Sequence, residues 1–127
     1  MHEKKHILIV DDDPDQRLGL RIRLRANHFS TAFAGDAATS IAEAKQHQPD
    51  LIILDLGLPG DDGFAVMEQL KKIPPLSAIP IIVVSARAND FNRERALREG
   101  AEAYLRKPVD NDELLAVIHR ALNRQNA

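Results

Sequence analysis

Three consecutive carboxylates, Asp11, Asp12 and Asp13, follow the apolar run HILIV at residues 6–10. Asp13 stands before Pro14, an N-cap ahead of a favoured first helical residue, with Gln16 placed to complete a capping box. That explains one acid of three. Asp11 and Asp12, taken alone, are acids of a solvated loop. Polar residues stand in matching places after other apolar runs: Asp55 after LIIL, Ser85 after PIIVV, and Lys107, with Pro108 behind it, after AEAYL. If those runs are neighbouring strands, the five side chains share one rim. Three carboxylates there repel one another unless a cation is present, and an oxygen-only donor set suits a hard octahedral ion, Mg²⁺ or Mn²⁺. A hard cation beside a carboxylate, a hydroxyl and an ammonium meets the needs of phosphoryl transfer: an oxygen nucleophile, charge neutralisation, and donors for the equatorial oxygens. The carboxylate would become an acyl phosphate.

The elements that must position these residues are legible as periodicity. After HILIV a helix is predicted from Pro14, with Leu18 and Ile22, then Leu20 and Leu24, at i,i+4 spacing. FSTAFA is a weaker strand, followed by a helix capped by Asp36 that runs to about Gln46 and is stopped by Pro49. LIIL reads as a strand buried on both faces; the next helix carries Phe64, Met67 and Leu70 inward and ends at Pro74 and Pro75. IPIIVV is the fourth strand. Asp90 to Glu99 is a helix closed by Gly100, AEAYL is the fifth strand, and the last helix opens with Asp110 and Glu113 in capping-box spacing. Its inward stripe is Leu114, Ile118 and Leu122. Strands alternating with helices across short loops imply right-handed crossovers, hence an α/β fold: a doubly wound (βα)5 parallel sheet covered on both faces. In such sheets ligands bind at the carboxyl ends of the strands, near the topological switch point.

The totals narrow the alternatives. A chain of 127 residues fits one domain, 1–127, with a sizeable core. A net charge of -2 supplies no general pull toward nucleic acid or an anionic membrane. With no Cys, disulfides, thiolate metal sites and thiol catalysis are excluded. No apolar run approaches the roughly 18 residues of a membrane span, and the start of the chain lacks a signal-peptide core. A cytoplasmic location is expected, with no membrane partner and no direct nucleic-acid binding by this domain.

Along essentially its full length the chain resembles the receiver domain of two-component response regulators, in the manner of the chemotaxis regulators. The motifs that carry the resemblance are ILIVDDD, PDLIILDLGLPGDDGF, PIIVVSA and GAEAYLRKPVDNDELL. The resemblance implies a flavodoxin-like five-stranded sheet of order 2-1-3-4-5, and a bacterial phosphorelay protein that catalyses its own phosphorylation and dephosphorylation. It implies Asp55 as the phosphoacceptor (4-aspartylphosphate), Asp11 and Asp12 as the acidic pair for Mg²⁺, and the Gly57 backbone carbonyl as a further ligand. Ser85 and Lys107 would hold the phosphoryl oxygens. The phosphodonor would be a histidine kinase or phosphotransfer domain. Ser85 and Tyr104 are expected to form a switch that remodels the face of the fourth helix, fifth strand and fifth helix, where an unknown output partner or output domain would read it. Gly57 and Arg87 occupy loop positions that the family uses for tuning phosphoryl lifetime.

Other readings of single residues stand beside these. Gly57, Gly60 and Gly63 serve turns that need φ > 0, Tyr104 is a half-buried strand aromatic, and Arg17, Arg21 and Arg25 line a solvated side of the first helix. Two rival functions also fit part of the pattern. A haloacid-dehalogenase-like phosphatase uses an aspartate nucleophile on a parallel sheet, but the residue two beyond Asp55 is Gly57, where an acid would be wanted. A phosphorylation-independent interaction module would keep the fold and lose an acid, the serine or the lysine; none is lost. The chain ends soon after its last helix, so it reads as a stand-alone receiver or a piece of a longer protein.

Overall fold

The computed structural model describes residues 4–58, 63–86 and 90–125. The apolar runs form strands β1 (His6–Val10), β2 (Ser30–Ala34), β3 (Leu51–Asp55), β4 (Ile81–Ser85) and β5 (Ala103–Arg106), all paired in parallel in the order β2-β1-β3-β4-β5. The connecting helices are α1 (Pro14–Ala26), α2 (Ala37–His47), α3 (Gly63–Lys71), α4 (Asp90–Arg98) and α5 (Asn111–Gln125). The doubly wound arrangement and strand order expected from the sequence are those observed. A 3₁₀ turn, Leu76–Ala78, follows Pro74 and Pro75 and adds to the elements expected from the sequence. Helix α3 stops at Lys71, short of the prolines, because a residue before proline is driven out of the helical region.

Alternation along each strand sorts an all-apolar run onto two faces. Ile7, Ile9, Leu51 and Ile53 pack with Leu20 and Leu24 of α1 and with Leu114 and Ile118 of α5. Leu8, Val10, Ile52 and Leu54 pack with Ile41 of α2, Phe64 and Met67 of α3, and Ala96 of α4. Burying one such aliphatic side chain is worth roughly 1.5–3 kcal/mol, so β1, β3 and β4 each gain from four consecutive apolar residues. Strand β2 is weaker in sequence because it lies at the sheet edge, where four of its five residues are only half-buried.

Local chemistry sets the helix ends. Asp36 accepts from the Thr39 amide at 2.8 Å to start α2, and Asp110 accepts from the Glu113 amide at 3.3 Å to start α5. Gly100, at φ +107°, takes the chain out of α4. Two expectations need correction in α1. Asp13 caps the Asp15 amide at 2.9 Å, but its own N–H donates to Asp11 Oδ1 at 3.0 Å, so Asp11 supplies the contact expected of Gln16. Of the two apolar pairs only Leu20 and Leu24 face the core; Leu18 and Ile22 are 51% and 61% exposed.

Candidate functional site

The strand order reverses direction at β1, so the carboxyl ends of β1 and β3 flank the switch point where a crevice opens. Asp11 leaves the end of β1 and is held on every side. Its N–H donates to the Ala34 carbonyl at 3.0 Å, and its carbonyl accepts from Arg17 Nη1 at 3.0 Å. Oδ1 accepts from the Asp13 amide, and Oδ2 accepts from Lys107 Nζ at 2.9 Å. Asp11 is accordingly buried, with 3% exposure. A buried carboxylate stays charged only with such partners. Asp12, the next residue, is exposed. Asp55 closes β3; its Oδ1 accepts from the Gly57 amide at 2.9 Å and its Oδ2 from Lys107 at 3.1 Å. One oxygen from each of Asp11, Asp12 and Asp55 lies within 4.8 Å of the other two.

Lys107 spans the acids. Its amide donates to the Ser85 carbonyl at 2.9 Å, which fixes the turn after β5 against the end of β4 and aims the side chain inward. Burial alone would lower the ammonium's pKa. The hydrogen bond that Lys107 donates to Asp11 and the charge of Asp55 more than offset it, so the pKa is raised and the group is an ammonium at neutral pH. Three carboxylates and one ammonium leave two net negative charges in the crevice. The donor set is therefore matched in charge, hardness and spacing to one divalent cation with oxygen preference.

The remaining residues singled out in the sequence fall as follows. Ser85 is the last residue of β4, 1% exposed, beside Arg106 in the sheet register. Tyr104 is half-buried, opposite Val83, and packs against the core layer shared with α3 and α4. Gly60 and Arg87 lie outside the described residues. The expected positive φ is absent at Gly57 and Gly63; among the described glycines only Gly100 has it. Gly63 is needed for a different reason: a Cβ there would lie 2.8 Å from Leu56 Cα and 2.9 Å from the Asp55 carbonyl, so α3 begins directly against the end of β3. Arg17 and Arg21 do not lie on a solvated side. Arg17 reaches Asp11, and Arg21 stands over the Phe33 ring at 5.7 Å; Arg25 is exposed. Arg17, expected on a solvated side, instead touches the site, and the signal for this is its place in the first helical turns after an acid pair.

A groove of about 500 Å³ adjoins the crevice, between Gln16, Gly19 and Leu20 of α1 and Lys107, Pro108 and Val109 of the loop before α5. Lys107 belongs to both.

The site is an acidic crevice at the switch point of a flavodoxin-like sheet, where among the described residues the Lys107 ammonium bridges two carboxylates. Residues 7–119 match the response regulator receiver domain family, and the chain belongs to that family. It is 36% identical over 116 residues to protein PilH of Pseudomonas aeruginosa, covering 91% of this chain and 96% of PilH. It is 39% identical over 122 residues to the KDP operon transcriptional regulatory protein KdpE of Escherichia coli, covering 96% of this chain and 53% of KdpE. The chain thus spans about half the length of that transcriptional relative. Among solved structures, the receiver domain of sensor histidine kinase PA1611 from Pseudomonas aeruginosa, which carries a magnesium ion coordinated in its active-site cleft, superposes with a TM-score of 0.86 at 27% identity, over 94% of this chain and 98% of that one. Family membership decides against the haloacid-dehalogenase-like reading.

Proposed function

We propose that residues 1–127 form a single receiver domain in which Asp55 accepts a phosphoryl group from a histidine kinase or phosphotransfer domain. The observation that carries this reading is the sharing of the Lys107 ammonium between Asp11 and Asp55 within a cluster of three carboxylates. Asp11, Asp12 and Asp55, with the Gly57 carbonyl, are the residues that would hold Mg²⁺ or Mn²⁺. Bound there, the ion supplies charge neutralisation for the carboxylates and the incoming phosphoryl oxygens. The Gly57 amide pins Asp55 Oδ1 and stops the carboxylate from rotating. One Asp55 oxygen forms the new O–P bond as the N–P bond of a phosphohistidine breaks. The N–P electron pair stays on the imidazole nitrogen, which is protonated there or afterwards. Lys107 exchanges its contact with Asp55 for one with the transferred group, and Ser85 supplies a second donor. The same groups position water for loss of the phosphoryl group, so the domain catalyses both directions of its own cycle.

The phosphoryl group brings about two negative charges and three acceptor oxygens. Charge-assisted hydrogen bonds are worth roughly 1.5–3 kcal/mol each, and inverting a 1:99 equilibrium takes about 5.5 kcal/mol. Contacts from Ser85 and Lys107 together come close to that, so the reading includes a switch: Ser85 is drawn to Asp55, Tyr104 turns inward, and the face of α4, β5 and α5 is remodelled for an output partner or output domain. No helix among the described residues is long and apolar enough to cross a membrane, which accords with a cytoplasmic signalling role.

The test is labelling with Mg²⁺ and acetyl phosphate, read by intact mass. Wild type is expected to gain one phosphoryl group and Asp55→Asn none. Equal labelling of both overturns the assignment of Asp55, and absence of labelling in wild type would favour a phosphorylation-independent module. A beryllofluoride complex that leaves Ser85 and Tyr104 in place would remove the switch.

A further inference from the structure

Arg17 is a cation fixed beside the acid cluster that the phosphoacceptor reading leaves without a task. From the second turn of α1 its Nη1 donates to the Asp11 carbonyl at 3.0 Å. Space for the guanidinium comes from Gly35, the first residue after β2, where a Cβ would lie 2.8 Å from Nη1. Gly35 has no positive φ, so its backbone does not demand glycine; an added Cβ would have to push the flexible end of Arg17 aside. On the other side, the Asp11 amide donates to the Ala34 carbonyl. The peptide units before and after Asp11 are therefore both clamped, one by the β2 end and one by Arg17.

The second of these peptides joins Asp11 to Asp12. Its orientation sets the direction in which the Asp12 side chain leaves the chain. Among the described residues no hydrogen bond or ion pair holds Asp12 itself. Its placement within reach of Asp11 and Asp55 is thus inherited from the backbone. We propose that Arg17 is a positioning residue: by fixing the Asp11–Asp12 peptide it presents the Asp12 carboxylate to the divalent cation, and Gly35 is the gap that admits its guanidinium. A planar guanidinium suits the task because its donors point in fixed directions, unlike those of a lysine ammonium. This inference rests on the reading that Asp11, Asp12 and Asp55 hold the ion.

The sign of the effect separates positioning from charge. Arg17 is positive, so removing it by a purely Coulombic argument should strengthen cation binding. The clamp predicts the reverse. The experiment is calorimetric titration with Mg²⁺ alone of wild type, Arg17→Met, Arg17→Lys, Gly35→Ala, the Arg17→Met/Gly35→Ala double variant and Asp12→Asn. Arg17→Met is expected to weaken Mg²⁺ binding about tenfold, the range for residues that orient metal ligands. Gly35→Ala keeps the charge but pushes the flexible end of Arg17 aside, and should weaken binding by no more than Arg17→Met does. The double variant should be no worse than Arg17→Met alone, because both changes act on the same contact. Arg17→Lys, which retains a donor, should recover part of the loss. Unchanged or tighter binding by Arg17→Met, or additive losses in the double variant, overturns the clamp. If Asp12→Asn binds Mg²⁺ like wild type, the cation-site reading itself fails and the clamp with it; if Asp12→Asn loses the ion while Arg17→Met keeps it, only the clamp is wrong. Amide hydrogen exchange at Asp12 and Asp13, faster in Arg17→Met without any metal, reads the clamp directly; unchanged exchange there counts against it.

Discussion

Replacing Asp12 by asparagine should make the domain more stable without Mg²⁺ and less stable with it. Asp12 is exposed, and its oxygen lies within 4.8 Å of oxygens of Asp11 and Asp55. Two unit charges at that separation repel by about 3.5 kcal/mol at an effective dielectric constant of 20 and by about 0.9 kcal/mol in bulk water. Exposure of Asp12 and the nearby Lys107 ammonium place the relief toward the lower figure, about 1 kcal/mol. Asp12→Asn is therefore expected to melt roughly 3–5 °C above wild type in chelator. With Mg²⁺ at about 100 times its dissociation constant, wild type gains about 2.7 kcal/mol by mass action. The variant, with one carboxylate fewer, should gain little. The order of the two melting temperatures then reverses. Circular dichroism melts in chelator and in excess Mg²⁺ measure both terms, and Asp13→Ala serves as control: it should lose about 1 kcal/mol of helix cap in both conditions and keep the full Mg²⁺ shift. A lower melting temperature for Asp12→Asn in chelator, or an unchanged Mg²⁺ shift, would refute the account of the acid cluster.

Gly63→Ala drives a Cβ into the backbone of Leu56 and Asp55, and should cost about 2–3 kcal/mol in urea melts; a loss below about 0.5 kcal/mol would show that α3 can shift. Leu18→Asp and Ile22→Asp, at exposed apolar positions of α1, should leave acetyl phosphate labelling intact and slow transfer from a phosphorylated protein donor about tenfold, the cost of losing one modest interface anchor. Equal transfer rates would place the donor elsewhere. His6 has its pKa lowered below the ordinary 6.5, first by burial and then by His47, against the opposing pull of Asp50 and Glu43. The unfolded chain then binds the proton more readily than the folded one, so the domain loses stability as pH falls through about 6.5 toward the lower folded value. A His6→Gln variant should show a smaller loss on acidification from about pH 7.5 to about pH 5, and identical pH dependence would argue against a lowered pKa at His6.

Some of this protein is determined one element at a time. Apolar runs of strand length, i,i+4 stripes, Asp36 and Asp110 at helix starts and Gly100 at a helix end are local signals, and local backbone and hydrogen-bond preferences suffice to interpret them. The crossover rule then turns alternating elements into a parallel sheet, which brings the polar residues at strand ends to one edge. Periodicity reports which residues share a face but not what covers that face. Leu18 and Ile22 have the same spacing as Leu20 and Leu24, yet only the latter pair meets the sheet. The three adjacent acids look alike in sequence, whereas in the structure Asp11 is buried in four contacts, Asp12 is exposed, and Asp13 caps α1. The difference comes from groups distant in the chain: Lys107, 96 positions from Asp11, and the end of β2. Arg17 belongs to the same category, since its role depends on the space left by Gly35 in another loop. Charge, hardness and residue type are properties of the chain, but burial and distance exist only once non-neighbouring segments pack, and these decide which carboxylate is held and which is left to face a ligand.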